Sequence, residues 1–138
     1  MARQQGLKWI LAGMMGLPLM ASAAGLDPAA LTQARTAAAH AGMALGAAHL
    51  AGVHMHLHHV LNCLVGPGGA AFDAKALDPC KGMGKGAIRD AAGNPAAEAL
   101  LHQAAAEAMR GERARTLAAA HADAKQVHAT LQRAGGGP

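Results

Sequence analysis

Aromatic residues are almost absent from this 138-residue sequence, which has one Trp, one Phe and no Tyr. Proteins that bind single-stranded nucleic acids stack bases on aromatic side chains and carry Lys and Arg in clusters. No long Lys/Arg run occurs here, and the net charge is about +2 once the predicted signal peptide, residues 1–23, is removed. We therefore expect no nucleic-acid partner.

No hydrophobic run is long enough to span a bilayer. The longest, "WILAGMMGLPLMA", has 13 residues, whereas a membrane-spanning helix needs about 20. It follows Arg3 and Lys8 and ends in Ala21-Ser22-Ala23, the pattern of a secretory signal peptide cleaved after Ala23; a retained anchor is the alternative. We predict a signal peptide at residues 1–23 and one domain at 24–138, periplasmic or secreted and without a membrane contact after cleavage.

Cysteine and serine are also scarce. Ser22 lies in the predicted signal peptide, so the mature chain has no serine nucleophile, and we expect the protein not to be an enzyme. The two cysteines, Cys63 and Cys80, form an even set in an exported chain, which favours a disulfide. Such a bond would contribute roughly 3 kcal/mol; a metal-bound Cys63 thiolate is the alternative.

The remaining composition predicts helix, since Ala, Leu, Gln and Arg are abundant and β-branched residues are few. Asp27-Pro28 and Asn94-Pro95 are helix N-terminal signals. Turns are expected between Gly46 and Gly52 and at Gly111. A glycine- and proline-rich loop is predicted over residues 66–93. The four predicted helices cover residues 28–45, 53–65, 95–110 and 112–133.

These elements predict an all-α fold, an antiparallel four-helix bundle of two helical hairpins joined by a long disulfide-anchored loop. Two histidine pairs, His40 with His59 and His102 with His121, have the same spacing of 19 residues. A 62-residue shift superimposes them, which we interpret as a sign of duplication. With a turn at Gly111, His102 and His121 should lie at the same level on neighbouring helices.

Histidine is concentrated in "HLAGVHMHLHHVLNC", residues 49–63. At 100° per residue, Leu57, Val60 and Leu61 belong to an apolar stripe, and His54 and His58 border it. Histidines four residues apart on a helix can chelate one ion. His56 and His59 are expected to face outward with Cys63. A turn near His49 places His40 opposite His58 or His59.

This pattern predicts a site for late first-row divalent metals, because neutral imidazole binds copper, nickel and zinc well. Copper is the first expectation, with nickel and zinc as alternatives, and protons should compete below about pH 6.5. His49 and His128 are interpreted as surface residues, and Met43, Met55 and Met109 as core fillers, although Met55 leaves a copper(I) alternative. The predicted metal ligands are His40, His54, His56, His58, His59, His102 and His121.

Two further functions stay open at this point. Covalent haem is excluded because "CxxCH" is absent, but a non-covalent haem for electron transfer could sit between bundle helices. The loop could instead act as a structural or interaction module, with Lys81, Lys85 and Arg89 contacting an acidic partner. "GMGKGAIR" lacks the full phosphate-loop motif, so we interpret it as loop structure.

The segments "TAAAHAGMALG" and "HMHLHHVLN", with the export signal and the helical hairpins, resemble the bacterial small metal-binding protein, a periplasmic histidine-rich four-helix bundle. The resemblance implies binding of copper and other divalent metals, and a role in metal buffering or tolerance. The insert with "NCLVGPGG" and "DPC" departs from that family, so one or two defined sites are expected rather than high-capacity storage. Alanine-rich faces bury little surface, so a homodimer is also expected.

Overall fold

The computed structural model describes residues 25–135, so the predicted signal peptide at residues 1–23 lies outside the described residues. Within this range the chain is helical and contains no strand, which confirms the predicted all-α class. None of the helices in the described range is long and apolar enough to cross a membrane. The five helices are α1 Pro28–Gly46, α2 Leu50–Val65, α3 Ala87–Asp90, α4 Pro95–Arg113 and α5 Leu117–Ala134.

Helices α1 and α4 begin at the predicted cap signals. The Asp27 side chain accepts a hydrogen bond from the backbone N–H of Ala29 at 2.8 Å. Asn94 accepts one from the N–H of Ala97 at 3.1 Å. In each helix a proline occupies the first turn, where its missing N–H costs nothing because that position has no intrahelical acceptor.

Both predicted turns are displaced. Helix α2 begins at Leu50 rather than Val53, so Gly52 lies inside the helix. Helix α4 continues through Gly111 to Arg113, because Gly111 is a packing residue and not a helix breaker. A Cβ at Gly111 would lie 2.5 Å from Leu57 Cδ1. The connections between the long helices therefore lie at residues 47–49 and 114–116.

The core is built from alanines on α1 packed against larger side chains of α2. Helix α1 packs against α2 and α5, and α4 packs against α5 and α2. Small side chains let the helix axes approach closely, while each fully buried leucine contributes about 1.5–3 kcal/mol. The fully buried alanines of α1 are Ala30, Ala34, Ala37, Ala41 and Ala44.

The loop of residues 66–93 is held against the helices at several points. Cys63 and Cys80 form the predicted disulfide, and both are buried. The buried Asn62 side-chain amide donates hydrogen bonds to the carbonyls of Asp73 at 2.9 Å and Leu77 at 3.1 Å. Its Oδ1 accepts one from the Asp73 N–H at 2.9 Å. Residues 73–77 are thereby fixed over α2.

A second set of hydrogen bonds holds the far end of this loop against α1. Gln33 Nε2 donates to an Asp90 carboxylate oxygen at 2.7 Å, and Gln33 Oε1 accepts from the Gly86 N–H at 2.9 Å. The one-turn helix α3, which ends at Asp90, was not predicted from the sequence. These hydrogen bonds attach the glycine-rich segment around α3 to α1.

The two halves of the fold repeat, but with an interval of 67 residues. Helices α1 and α4 each have 19 residues. The predicted shift of 62 residues is therefore wrong: it would superimpose His40 on His102, whereas the helix starts and turns match only in the longer register. Equivalent pairs in the 67-residue register are Asp27 and Asn94, Pro28 and Pro95, Ala47 and Ala114, and His54 and His121.

Candidate metal centre

Three histidines from α1 and α2 converge on one point. Nδ1 of His40 lies 3.3 Å from Nδ1 of His56 and 3.3 Å from Nδ1 of His59. Each ring offers one nitrogen within 4.8 Å of the others. His59 is buried, while His40 and His56 are partly exposed. Among the described residues this is the one group of three or more His, Cys, Asp or Glu side chains close enough to share a metal ion.

The position of the turn between α1 and α2 brings these residues together. Because the connection is residues 47–49, centred on Ala48, His40 lies level with His56 on the neighbouring helix. His59 follows His56 by three residues, and positions three apart share one helix face. Both rings therefore point toward α1, where they pack against the His40 ring with centroids 5.6 Å and 4.9 Å away.

Burial and crowding favour the neutral form of two of these rings. The pKa of His40 is lowered from 6.5, chiefly by burial and then by His59 and His56. Burial also lowers the pKa of His59, with smaller contributions from His56 and His58. A neutral imidazole has a free lone pair, so both shifts preserve the form that ligates a metal.

Hydrogen bonds between the rings cannot account for both contacts of His40 Nδ1. Each Nδ1 carries either one hydrogen or one lone pair, so His40 Nδ1 cannot form two good hydrogen bonds to its two neighbours. A metal ion can accept a lone pair from each ring. With metal–nitrogen bonds of about 2.0–2.1 Å, tetrahedral geometry separates the nitrogens by about 3.3–3.4 Å, and right-angled geometry by about 2.8–3.0 Å. The two spacings from His40 Nδ1, 3.3 Å each, lie in the tetrahedral range, and all three ligand nitrogens lie within 4.8 Å of one another.

His54 and His121 lie elsewhere and bind backbone carbonyls. His54 Nε2 is 3.1 Å from the carbonyl oxygen of Ala114, and His121 Nε2 is 3.0 Å from that of Ala47. These carbonyls belong to the C-terminal caps of α4 and α1. The prediction that His54 borders a site shared with His40 is therefore wrong in its geometry, as is the pairing of His121 with His102.

His58 and His102 also lie apart from the cluster. Nδ1 of His58 is 2.8 Å from Oε1 of Glu112 and 3.8 Å from Oδ2 of Asp73. His102 is exposed, and its Nε2 lies 3.9 Å from Glu98. The prediction that His56 and His59 face outward with Cys63 is wrong, because both rings contact His40, and His59 and Cys63 are buried. Of the two predicted partners of His40, His59 is confirmed and His58 is not. A turn centred on Ala48 instead of His49 moves the partner of His40 by two residues, from His58 to His56.

Glu112, the partner of His58, is a partly buried carboxyl group with a raised pKa. Burial raises the pKa of Glu112 from 4.5, Asp73 adds to that increase, and His58 and Arg113 oppose it. A cleft of about 690 Å³ lies beside this pair and is lined by Met55, His58 and His59. The cleft connects solvent to the side of α2 that carries His59.

The second half of the molecule does not repeat the cluster. Gln103 donates to the buried Glu107 carboxylate at 2.8 Å, and Arg110 lies 3.2 Å from Asp123. The residues there form ordinary hydrogen bonds and an ion pair instead of converging imidazoles. In the 67-residue register the counterparts of His40, His56 and His59 are Glu107, Asp123 and Gln126.

The methionines also differ from expectation. Met43 and Met55 were expected in the core, but they are 51% and 48% exposed. Met109 does pack against the core. Helical periodicity could have identified both as surface residues, because Met43 lies outside the row of buried alanines on α1 and Met55 outside the leucine stripe of α2.

Fold and site together define a helical protein with a disulfide-anchored loop and a three-histidine cluster that could hold a metal ion. No protein-family model, curated protein or solved structure matches the chain.

Proposed function

We propose that this protein binds a late first-row transition metal at His40, His56 and His59 and serves in metal buffering or tolerance. One observation carries the proposal: His40 Nδ1 lies 3.3 Å from the Nδ1 atoms of both other histidines. Three imidazoles are a donor set for copper, nickel or zinc.

We place this function in the periplasm or outside the cell. The signal-like residues 1–23 and the Cys63–Cys80 disulfide support that location, since disulfides persist in oxidising compartments. We further propose an antiparallel four-helix bundle as the architecture, supported by the packing of α1 on α2 and α5 and of α4 on α5 and α2. The resemblance to bacterial small metal-binding proteins agrees with both proposals.

Titration of the protein with zinc, copper and nickel at neutral pH tests the proposal. We expect one ion per chain, and His40→Ala should lower zinc affinity by at least about 10- to 100-fold. His102→Ala is the matched control, because its exposed ring lies outside the cluster. Absence of micromolar binding, or equal affinity of the wild type and His40→Ala, would disprove the site.

A further inference from the structure

Thioether side chains are unusually prominent on the surface of this protein. Four large hydrophobic side chains are well exposed among residues 25–135, and three of them are methionines. Scattered apolar side chains are normal on a protein surface, so it is the sulfur of these residues and their position that bear on function. Their exposed fractions are 51% for Met43, 48% for Met55 and 37% for Met83.

All three methionines lie close to the histidine cluster along the chain or in space. Met43 follows His40 by three residues on α1, and Met55 precedes His59 by four on α2. Residues at these spacings are neighbours on a helix face, about 5–6 Å apart at Cβ.

Met83 approaches from the loop. The Thr36 hydroxyl donates to its sulfur at 3.7 Å, and Thr36 lies one helical turn before His40. Along α1, Met43 and the Thr36 contact of Met83 therefore lie within about one helical turn of His40, one on each side.

We propose that the cluster is a copper(I) site, in which Met43, Met55 and Met83 capture the ion and one of their sulfurs completes its coordination. The inference rests on the proposed metal-binding function and specifies its metal and oxidation state. Soft thioether ligands select copper(I), whereas nickel(II) and copper(II) favour square-planar geometry with right angles between ligands. The spacing of 3.3 Å from His40 Nδ1 to each of the other two Nδ1 atoms is compatible with tetrahedral copper(I).

Sulfur for this site has to come from methionine. Cys63 and Cys80 are joined in the disulfide, and the described chain has no free cysteine. Methionine has three rotatable bonds and a polarizable sulfur, so it can swing from solvent onto a bound ion. Met55 also lines the cleft beside His59, which gives the ion a route from solvent.

The test compares copper(I) and zinc affinities of the wild type and the triple variant Met43→Leu/Met55→Leu/Met83→Leu. Leucine keeps the volume and helix propensity of methionine but removes the sulfur. Met109→Leu is the matched control, since Met109 packs against the core. Copper(I) is supplied with a competing chelator, and a thiol assay confirms that the disulfide stays oxidised. All variants keep the methionines of residues 1–23, so any difference comes from the replaced sulfurs.

We expect the triple variant to bind copper(I) about 10- to 100-fold more weakly while its zinc affinity stays unchanged, because zinc uses nitrogen, oxygen and thiolate ligands. X-ray absorption of the wild-type copper(I) complex should show a sulfur neighbour that the variant lacks. If the triple variant binds both copper(I) and zinc as tightly as the wild type does, the thioether role is overturned, but the histidine site is not. A parallel loss of zinc and copper(I) would also overturn it. Failure of the wild type to bind either metal would remove the proposed function itself.

Discussion

His54 and His121 make the same hydrogen bond from equivalent positions in the two halves of the molecule. His54 Nε2 lies 3.1 Å from the Ala114 carbonyl at the end of α4, and His121 Nε2 lies 3.0 Å from the Ala47 carbonyl at the end of α1. Carbonyls at a helix C-terminus lack an intrahelical donor. Each histidine therefore caps a helix of the other half, and the two bonds join the halves at their turns.

Replacing His54 with alanine should lower the free energy of unfolding by about 0.5–1.5 kcal/mol, because the part-buried Ala114 carbonyl loses its donor. His121→Ala should have a similar effect through Ala47. Urea unfolding measures both, and zinc titration of the same samples should give the wild-type affinity. A His54→Ala variant with normal stability and weakened zinc binding would show that His54 is a ligand after all.

The stability of the metal-free protein should decrease as the pH falls below 6.5. The pKa values of His40 and His59 lie below 6.5 in the folded state. In that window the unfolded chain therefore binds more protons, and stability rises with pH. Repulsion from His56 lowers the pKa of both rings further, and repulsion from His58 adds to this at His59. Glu112 has the opposite effect on stability. Its pKa is raised above 4.5 in the folded state, so around and above that pH the folded chain binds more protons than the unfolded chain does.

The comparison of wild type with His40→Gln isolates the histidine contribution, because Glu112 is present in both. Between about pH 6.5 and pH 5, the wild type should lose more unfolding free energy than the variant. Chemical denaturation at several pH values, with chelator present, measures the difference. Parallel pH profiles for the two proteins would contradict the prediction.

Gly111→Ala should destabilise the fold by about 1–3 kcal/mol, although alanine is the better helix former. The new Cβ would lie 2.5 Å from Leu57 Cδ1 and 3.1 Å from Asp123 Cβ. Gly46→Ala is the matched control, since nothing lies within 4 Å of its added Cβ. That substitution should be neutral or stabilising by up to about 1 kcal/mol. Thermal unfolding of both variants decides whether Gly111 is a packing residue.

Asn62→Ala should free residues 73–77 from α2. Its buried amide makes three hydrogen bonds to that segment, and their loss should cost roughly 1–3 kcal/mol. Hydrogen exchange at the Asp73 amide, which donates to Asn62, should become faster. Gln126→Ala, at an exposed position on α5, should stay within about 0.5 kcal/mol of the wild type. Unchanged exchange at Asp73 would contradict this role of Asn62.

Local signals in the sequence were sufficient for the starts of α1 and α4. Asp27-Pro28 and Asn94-Pro95 mark the starts of α1 and α4 because capping and the proline restriction act within one turn of chain. The predicted helix start after Gly52 and helix end before Gly111 were wrong. Glycine weakens a helix, but it also permits close packing between helices. Whether it breaks the helix or packs within it depends on what lies opposite, and the local sequence does not contain that information.

From the sequence alone it follows that the chain is helical and that imidazoles are concentrated in one segment, and pairing of Cys63 with Cys80 is favoured. Which imidazoles meet depends on the packing of α1 against α2. Successive residues on a helix differ by 100°, so the shift in the turn from His49 to Ala48 replaced His58 with His56 beside His40. The carbonyls that His54 and His121 bind lie 60 and 74 residues away in the chain, so the capping role of these histidines also depends on the tertiary structure.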